Sequence, residues 1–177
     1  MTGLAVIGII LVVVFFGLVF AVALGKVAKK GDDQRKQIFL ISPVRGLTPE
    51  DTEAIKKNQP DDIKNEEIRK IYRYVENLEK QGCLVHWPIR NTKQDGDPIG
   101  LRICGDNFQA ADDAHEIHVW WNPDSSGSKF DFGIAFALWK LFGKPIVLVN
   151  TDGVKPTPTK SFENVLLEIH RINTMPR

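Results

Sequence analysis

Two aspartates and one serine-rich loop are the residues of this chain best suited to chemistry. The loop Asp124-Ser125-Ser126-Gly127-Ser128 leads into a helical segment that begins near Lys129, with Asp131 in its first turn. A helix N-terminus presents unpaired N–H groups and the positive end of a dipole, so serine hydroxyls and a glycine backbone beside it suit a phosphate group. An ordinary serine cap accounts for the same residues equally well. An acidic side chain in a first helical turn is stabilised by the dipole. Here it also aims a carboxylate toward the end of a strand, between Phe130 and Phe132, whose rings lower the local dielectric. A carboxylate in such a place can act as a nucleophile on a sugar carbon. Asp106, twenty-five residues earlier, brings a second carboxylate toward the same crevice.

The pattern of apolar residues shows what must position these groups. Residues 37–41 (QIFLI), 83–87 (CLVHW), 116–121 (EIHVWW) and 146–149 (IVLV) are short apolar runs bounded by turn residues, and they read as strands. Helical stripes occupy residues 63–80, closed by Gly82, 101–113, and 129–142, closed by Gly143. A last helix follows a Ser161 cap and carries Phe162, Val165, Leu166 and Ile169 on one face. Residues 47–62 read as an exposed loop or short helix forming a flap, and residues 90–100 as turns. The order β-α-β-α-β-α-β-α predicts an α/β, flavodoxin-like, doubly wound parallel sheet of four to five strands with helices on both faces. Ligands of such sheets bind outside the carboxyl ends of the strands. The loops leaving those ends are Ser42-Pro43-Val44-Arg45-Gly46, His86-Trp87-Pro88, and residues 122–128.

Two stretches carry a family resemblance. Ser125-Ser126-Gly127-Ser128-Lys129-Phe130-Asp131-Phe132-Gly133-Ile134-Ala135, followed by Gly143-Lys144-Pro145-Ile146-Val147, resembles the nucleoside 2-deoxyribosyltransferase superfamily. The signature there is a Gly loop headed by Ser or Asp, an aromatic, Glu, an apolar residue, Gly, any residue and Ala, then Gly-Lys-Pro before an apolar strand. The first loop, ending in Arg45-Gly46, is most similar to the branch that hydrolyses deoxynucleoside 5′-monophosphates, and Asp106 with Ala111-Asp112 is similar to the central acidic segment. The resemblance spans residues 38–150. It implies that Asp131 stands where the family has its catalytic Glu, which attacks the anomeric carbon and releases the base. It also implies that Ser125 contacts the 5′-phosphate, helped by Ser126, Gly127 and Ser128. Ser42, Pro43, Arg45 and Gly46 belong to the loop that closes over sugar and phosphate. Asp106 orients the nucleoside, and His86 and Trp87 line the base pocket. The expected partner is a nucleoside or nucleotide, with no cofactor and no metal, and by analogy the chain forms a homo-oligomer. Asp in place of Glu departs from the pattern: losing one methylene retracts the carboxylate by about 1–1.5 Å, and misplacement of that size can cost on the order of 10²-fold in rate. The alternative is therefore a non-catalytic, membrane-tethered nucleotide-binding or sensing module.

The tether is read from residues 4–24, LAVIGIILVVVFFGLVFAVAL, which hold no charged side chain. At about 1.5 Å per residue such a helix reaches roughly 30 Å, the thickness of a bilayer's hydrocarbon core. A cleaved signal peptide is the rival, since Ala21-Val22-Ala23 offers a small-x-small site. No basic residue precedes the run, however, and it exceeds the usual signal core of ~7–15 residues. Residues 1–25 are thus assigned to a transmembrane helix, 26–36 to a linker and 37–173 to the α/β domain. Lys26, Lys29, Lys30, Arg35 and Lys36 all follow the run, which places the N-terminus outside and the domain in the cytoplasm.

Other functions are disfavoured. With a net charge of +1 the chain has no electrostatic case for nucleic acid. Cys83 and Cys104 are spaced for neither a metal nor a redox pair. Asp131-Phe132-Gly133 spells a kinase tripeptide without its companion motifs. In His115-Glu116-Ile117-His118 a strand turns the two histidines to opposite sides.

Overall fold

The computed structural model describes residues 35–44 and 47–174. The expected membrane helix over residues 4–24, most of the linker, and Arg45 and Gly46 lie outside the described residues. Among the described residues no helix is long and apolar enough to cross a membrane.

The strands are β1 (Gln37–Ile41), β2 (Leu84–His86), β3 (Glu116–Val119) and β4 (Ile146–Leu148). All neighbouring pairs are parallel, in the order β2-β1-β3-β4. The helices are α1 (Pro49–Lys56), α2 (Glu66–Lys80), α3 (Pro88–Asn91), α4 (Leu101–Asp113), α5 (Ser126–Phe142) and α6 (Phe162–Thr174). This is the α/β architecture with a four-stranded parallel sheet that the alternating pattern predicts.

Alternation along β1 divides the core in two. Ile38 and Leu40 pack with Ile55, Ile63, Ile68, Ile71 and Val75 of α1, α2 and the turn between them. Phe39 and Ile41 face the other way, against Ala111 of α4, Phe132, Ala135 and Leu138 of α5, and Leu166 and Ile169 of α6. Burying each of the Val, Ile, Leu and Phe side chains contributes about 1.5–3 kcal/mol, and the alanines less. Helices on both faces follow from right-handed crossovers. The chain leaves β1 toward β2 through α2, then crosses back past β1 to β3 through α4. The change of direction puts the topological switch point between β1 and β3, where ligands of open α/β sheets bind.

Three local details differ from the sequence reading. Residues 47–62 take the short-helix alternative as α1, but it is packed rather than a flap: Thr48 and Asp51 form a reciprocal capping box, Ala54 and Ile55 are buried, and Asp51 Oδ1 also accepts the backbone N–H of Lys64 at 2.6 Å. Pro88 ends β2 as expected, but as the first residue of the short helix α3, because its missing N–H costs nothing in a first turn. Helix α5 begins at Ser126, three residues earlier than its apolar face indicates, because Ser125 caps it. Gly143 ends α5 at a φ of 69°, a left-handed conformation that favours glycine.

Candidate active site

The serine loop is built as a helix cap. The Ser125 hydroxyl accepts the Ser128 backbone N–H at 3.2 Å and the Ser128 hydroxyl at 3.0 Å, and both residues are buried. Asn150, at the end of β4, pins the start of this loop by accepting the Trp121 N–H at 2.7 Å and donating to the Trp121 carbonyl at 2.8 Å. Of the four residues 125–128, only Ser126 and Gly127 are exposed. Their position at the N-terminus of a seventeen-residue helix leaves them as the part of the loop a ligand can reach.

Asp131 lies in the second turn of α5, half-buried on the side that faces α4. Phe132, its neighbour, is in the core against Trp121 and Phe162, while Phe130 is exposed. Burial pushes the Asp131 carboxyl up to about 6, against an ordinary 3.8, and a hydrogen bond from Asn107 opposes that rise. Asn107 Nδ2 donates to Asp131 Oδ2 at 3.5 Å, a contact longer than the usual N–H···O range of about 2.7–3.2 Å. Asn107 Oδ1 in turn accepts the Thr92 hydroxyl at 2.9 Å, and Thr92 Oγ1 lies 3.0 Å from His86 Nε2. Thr92 and Asn107 are both buried.

The structure does not pair Asp106 with Asp131. Asp106 precedes Asn107 on α4, and successive residues of a helix do not share a face. It accepts from Arg102 Nη1 at 3.0 Å, with about half of its side chain exposed. The contact to Asp131 comes from Asn107 instead.

The other expected contacts divide between core and surface. Trp87 is 0% exposed, so it packs in the core rather than lining a base pocket. Its indole N–H donates to Ser42 Oγ at 2.8 Å, which occupies the Ser42 hydroxyl. Pro43 is buried as well. His86 does line a cleft of about 570 Å³ between the outer edge of β2 and α4, together with Arg90, Asn91, Asp106 and Gln109. Its ring stacks on Phe39 at 5.7 Å, and burial lowers its pKa below 6.5.

Asn107, Thr92 and Lys144 are the residues that sequence reasoning missed. Lys144 Nζ donates to the carbonyls of Ala111, Asp112 and Ala114, at 2.9, 2.5 and 2.6 Å. It thereby caps the C-terminus of α4, which gives the Gly-Lys-Pro motif a structural role. The only signal for Asn107 was its polarity on the apolar stripe of a helix. Both cysteines are free thiols. Among the described residues no three His, Cys, Asp or Glu side chains converge as metal ligands would.

Comparison with protein-family models, with curated proteins and with solved structures gave no match to this chain.

Proposed function

We propose that the chain is a membrane-anchored, nucleoside 2-deoxyribosyltransferase-like N-glycosidase with a flavodoxin-like domain, acting on a deoxynucleoside or its 5′-monophosphate. The observation that carries the reading is Asp131. It is a half-buried carboxyl with its pKa raised to about 6, one turn below a capped serine loop and beside the switch point of a parallel sheet. Perturbed carboxyls at such places mark functional sites. Above pH 6 the group is mostly ionised, yet it is more basic than an ordinary Asp and so a better nucleophile. In the proposed reaction an Asp131 oxygen bonds to C1′ of the sugar as the C1′–N bond breaks. The base leaves with the electron pair and takes a proton from solvent water. Water or a second base then attacks C1′ and frees Asp131. Ser126 and Gly127, at the positive end of α5, are placed for a 5′-phosphate. Residues 4–24 hold the domain at the cytoplasmic face of a membrane, and a homo-oligomer is the expected assembly.

The purified full-length chain should release free base from at least one deoxynucleotide, and Asp131→Asn should abolish this. Asp131→Glu, which restores the missing methylene, should keep or raise the rate. No release across a panel of nucleosides and 5′-monophosphates would end the catalytic reading. The alternative is a non-catalytic nucleotide-binding module, and two observations favour it: the shorter carboxylate at position 131, and the engagement of Asp106 by Arg102. Under it, calorimetry would detect nucleotide binding without turnover, and Asp131→Ala would leave affinity intact.

A further inference from the structure

Asn107 of α4 meets Asp131 at the end of a row of polar side chains that runs through buried Thr92 to half-buried His86, and the order of donors along it follows from one fact. An ionised carboxylate only accepts hydrogen bonds. Asn107 must therefore turn its NH₂ group to Asp131 and its carbonyl oxygen to Thr92. The Thr92 hydrogen is spent on that oxygen, so its lone pair accepts from His86 Nε2, which must carry the ring hydrogen. Nδ1 is then bare. It has no partner among the described residues, is not sealed from solvent, and belongs to a ring that lines the cleft at the β2 edge.

We propose that Thr92 and Asn107 are positioning residues that connect His86 to Asp131, holding Oδ2 from below and leaving Oδ1 for the substrate. The inference deepens the N-glycosidase reading and rests on it for the substrate, although the relay is itself a property of the resting protein. Three residues from separate elements share it: His86 ends β2, Thr92 follows α3, and Asn107 lies in the middle of α4. Aligned donors polarise one another, so each link strengthens the next. Burial raises the Asp131 pKa and Asn107 restrains that rise. No charged side chain contributes to it; the charged groups that act on His86 are Asp106 and Arg90. The half-buried Asp131 carboxyl is thereby linked to a ring that lines an open cleft.

Two NMR measurements on the full-length protein test this. Nitrogen-15 shifts of the wild type should show His86 as the Nε2–H tautomer, and the Nδ1–H tautomer would overturn the proposal whatever happens to the variants. Carboxyl carbon-13 titration should find Asp131 about threefold to tenfold weaker as an acid in Asn107→Leu, which keeps the apolar surroundings but removes the donor. Thr92→Val should shift it the same way by less and leave the His86 tautomer mixed, while Thr92→Ser should restore both. Unchanged Asp131 acidity in folded Asn107→Leu and Thr92→Val would refute the relay. No substrate enters these titrations, so absence of base release would end the N-glycosidase reading and leave the relay standing.

Discussion

Asp131→Asn should make this protein more stable at neutral pH while removing the proposed chemistry. The native carboxyl titrates near 6 and an unfolded one near 3.8. Each tenfold in acidity is worth about 1.4 kcal/mol, so the folded state forgoes roughly 2–3 kcal/mol once the carboxylate is ionised in both states. The sign follows from proton counts. Between pH 3.8 and about 6 the native protein holds a proton that the unfolded chain has released, so stability falls as pH rises through that window and stays lower above it. Asparagine keeps the oxygen that accepts from Asn107 and carries no charge, so the variant escapes this loss. For a domain of this size the gain corresponds to a melting point roughly 5–15 °C higher at pH 8. At pH 3.5 the native carboxyl is protonated and the unfolded one mostly so, and the two melting curves should nearly coincide. Thermal unfolding of the full-length wild type and variant at the two pH values measures the difference directly. Equal melting points at pH 8, or a gap that does not close in acid, would refute the claim that Asp131 is held in a desolvated site at a cost in stability. A functional group kept against the interest of the fold is what an active site requires, and a merely structural aspartate would show the opposite sign.

The opposite sign is expected at Asp51. Burial alone would raise its pKa, but the backbone N–H groups of Lys64, Thr48 and Asn65 outweigh this and hold it below 3.8. Asp51→Ala should cost about 2–3 kcal/mol at pH 7, by loss of the cap and of those partners. The difference should shrink below about pH 4 as the wild-type carboxylate takes up its proton. Ser42→Ala leaves the buried Trp87 N–H without its acceptor and should cost about 1–3 kcal/mol in a denaturant titration, with nucleotide affinity unchanged. A loss of affinity without a loss of stability would return Ser42 and Trp87 to the ligand site. The full-length chain should stay in membranes through alkaline carbonate washing, and a chain lacking residues 1–25 should not. Val13→Lys should weaken insertion, at about 2.5–3.5 kcal/mol for a charge at mid-helix.

The fold was legible in the sequence to the extent that it rests on periodicity. Residues 101–113 were readable as α4 because Ile103, Cys104, Ala110 and Ala111 recur at helical spacing and a strand follows directly, although Leu101 and Phe108 are exposed. The start of α5 was missed because Ser126, Gly127 and Ser128 carry no apolar side chain, and only the cap reveals that they are helical. Residue type and helix position single out Asp131 in the sequence, and the structure places it half-buried with a raised pKa, but of its flanking aromatics Phe130 is exposed and Phe132 packs in the core. Asn107 shows in the sequence only as a polar residue on an apolar stripe and Thr92 stands in no local pattern, since both acquire their role through contacts across 24 and 15 residues of chain. Asp106 has the residue type for chemistry, yet a rotation of about 100° per residue along a helix gives the inward position to its neighbour.

By itself, then, the sequence determined what depends on neighbours in the chain: four apolar strands, the helices between them, the parallel order those alternations impose, and a long uncharged segment ahead of the domain. Only the tertiary structure decided which polar groups meet. It turned Trp87 and Ser42 inward as a bonded pair, spent Ser125 and Ser128 on a cap, and set Asn107 rather than Asp106 against Asp131. The physical reason is that hydrophobic burial is proportional to area and indifferent to partner, so it can be read from pattern alone. A hydrogen bond depends on distances of a few tenths of an ångström between residues that the chain brings together only when folded.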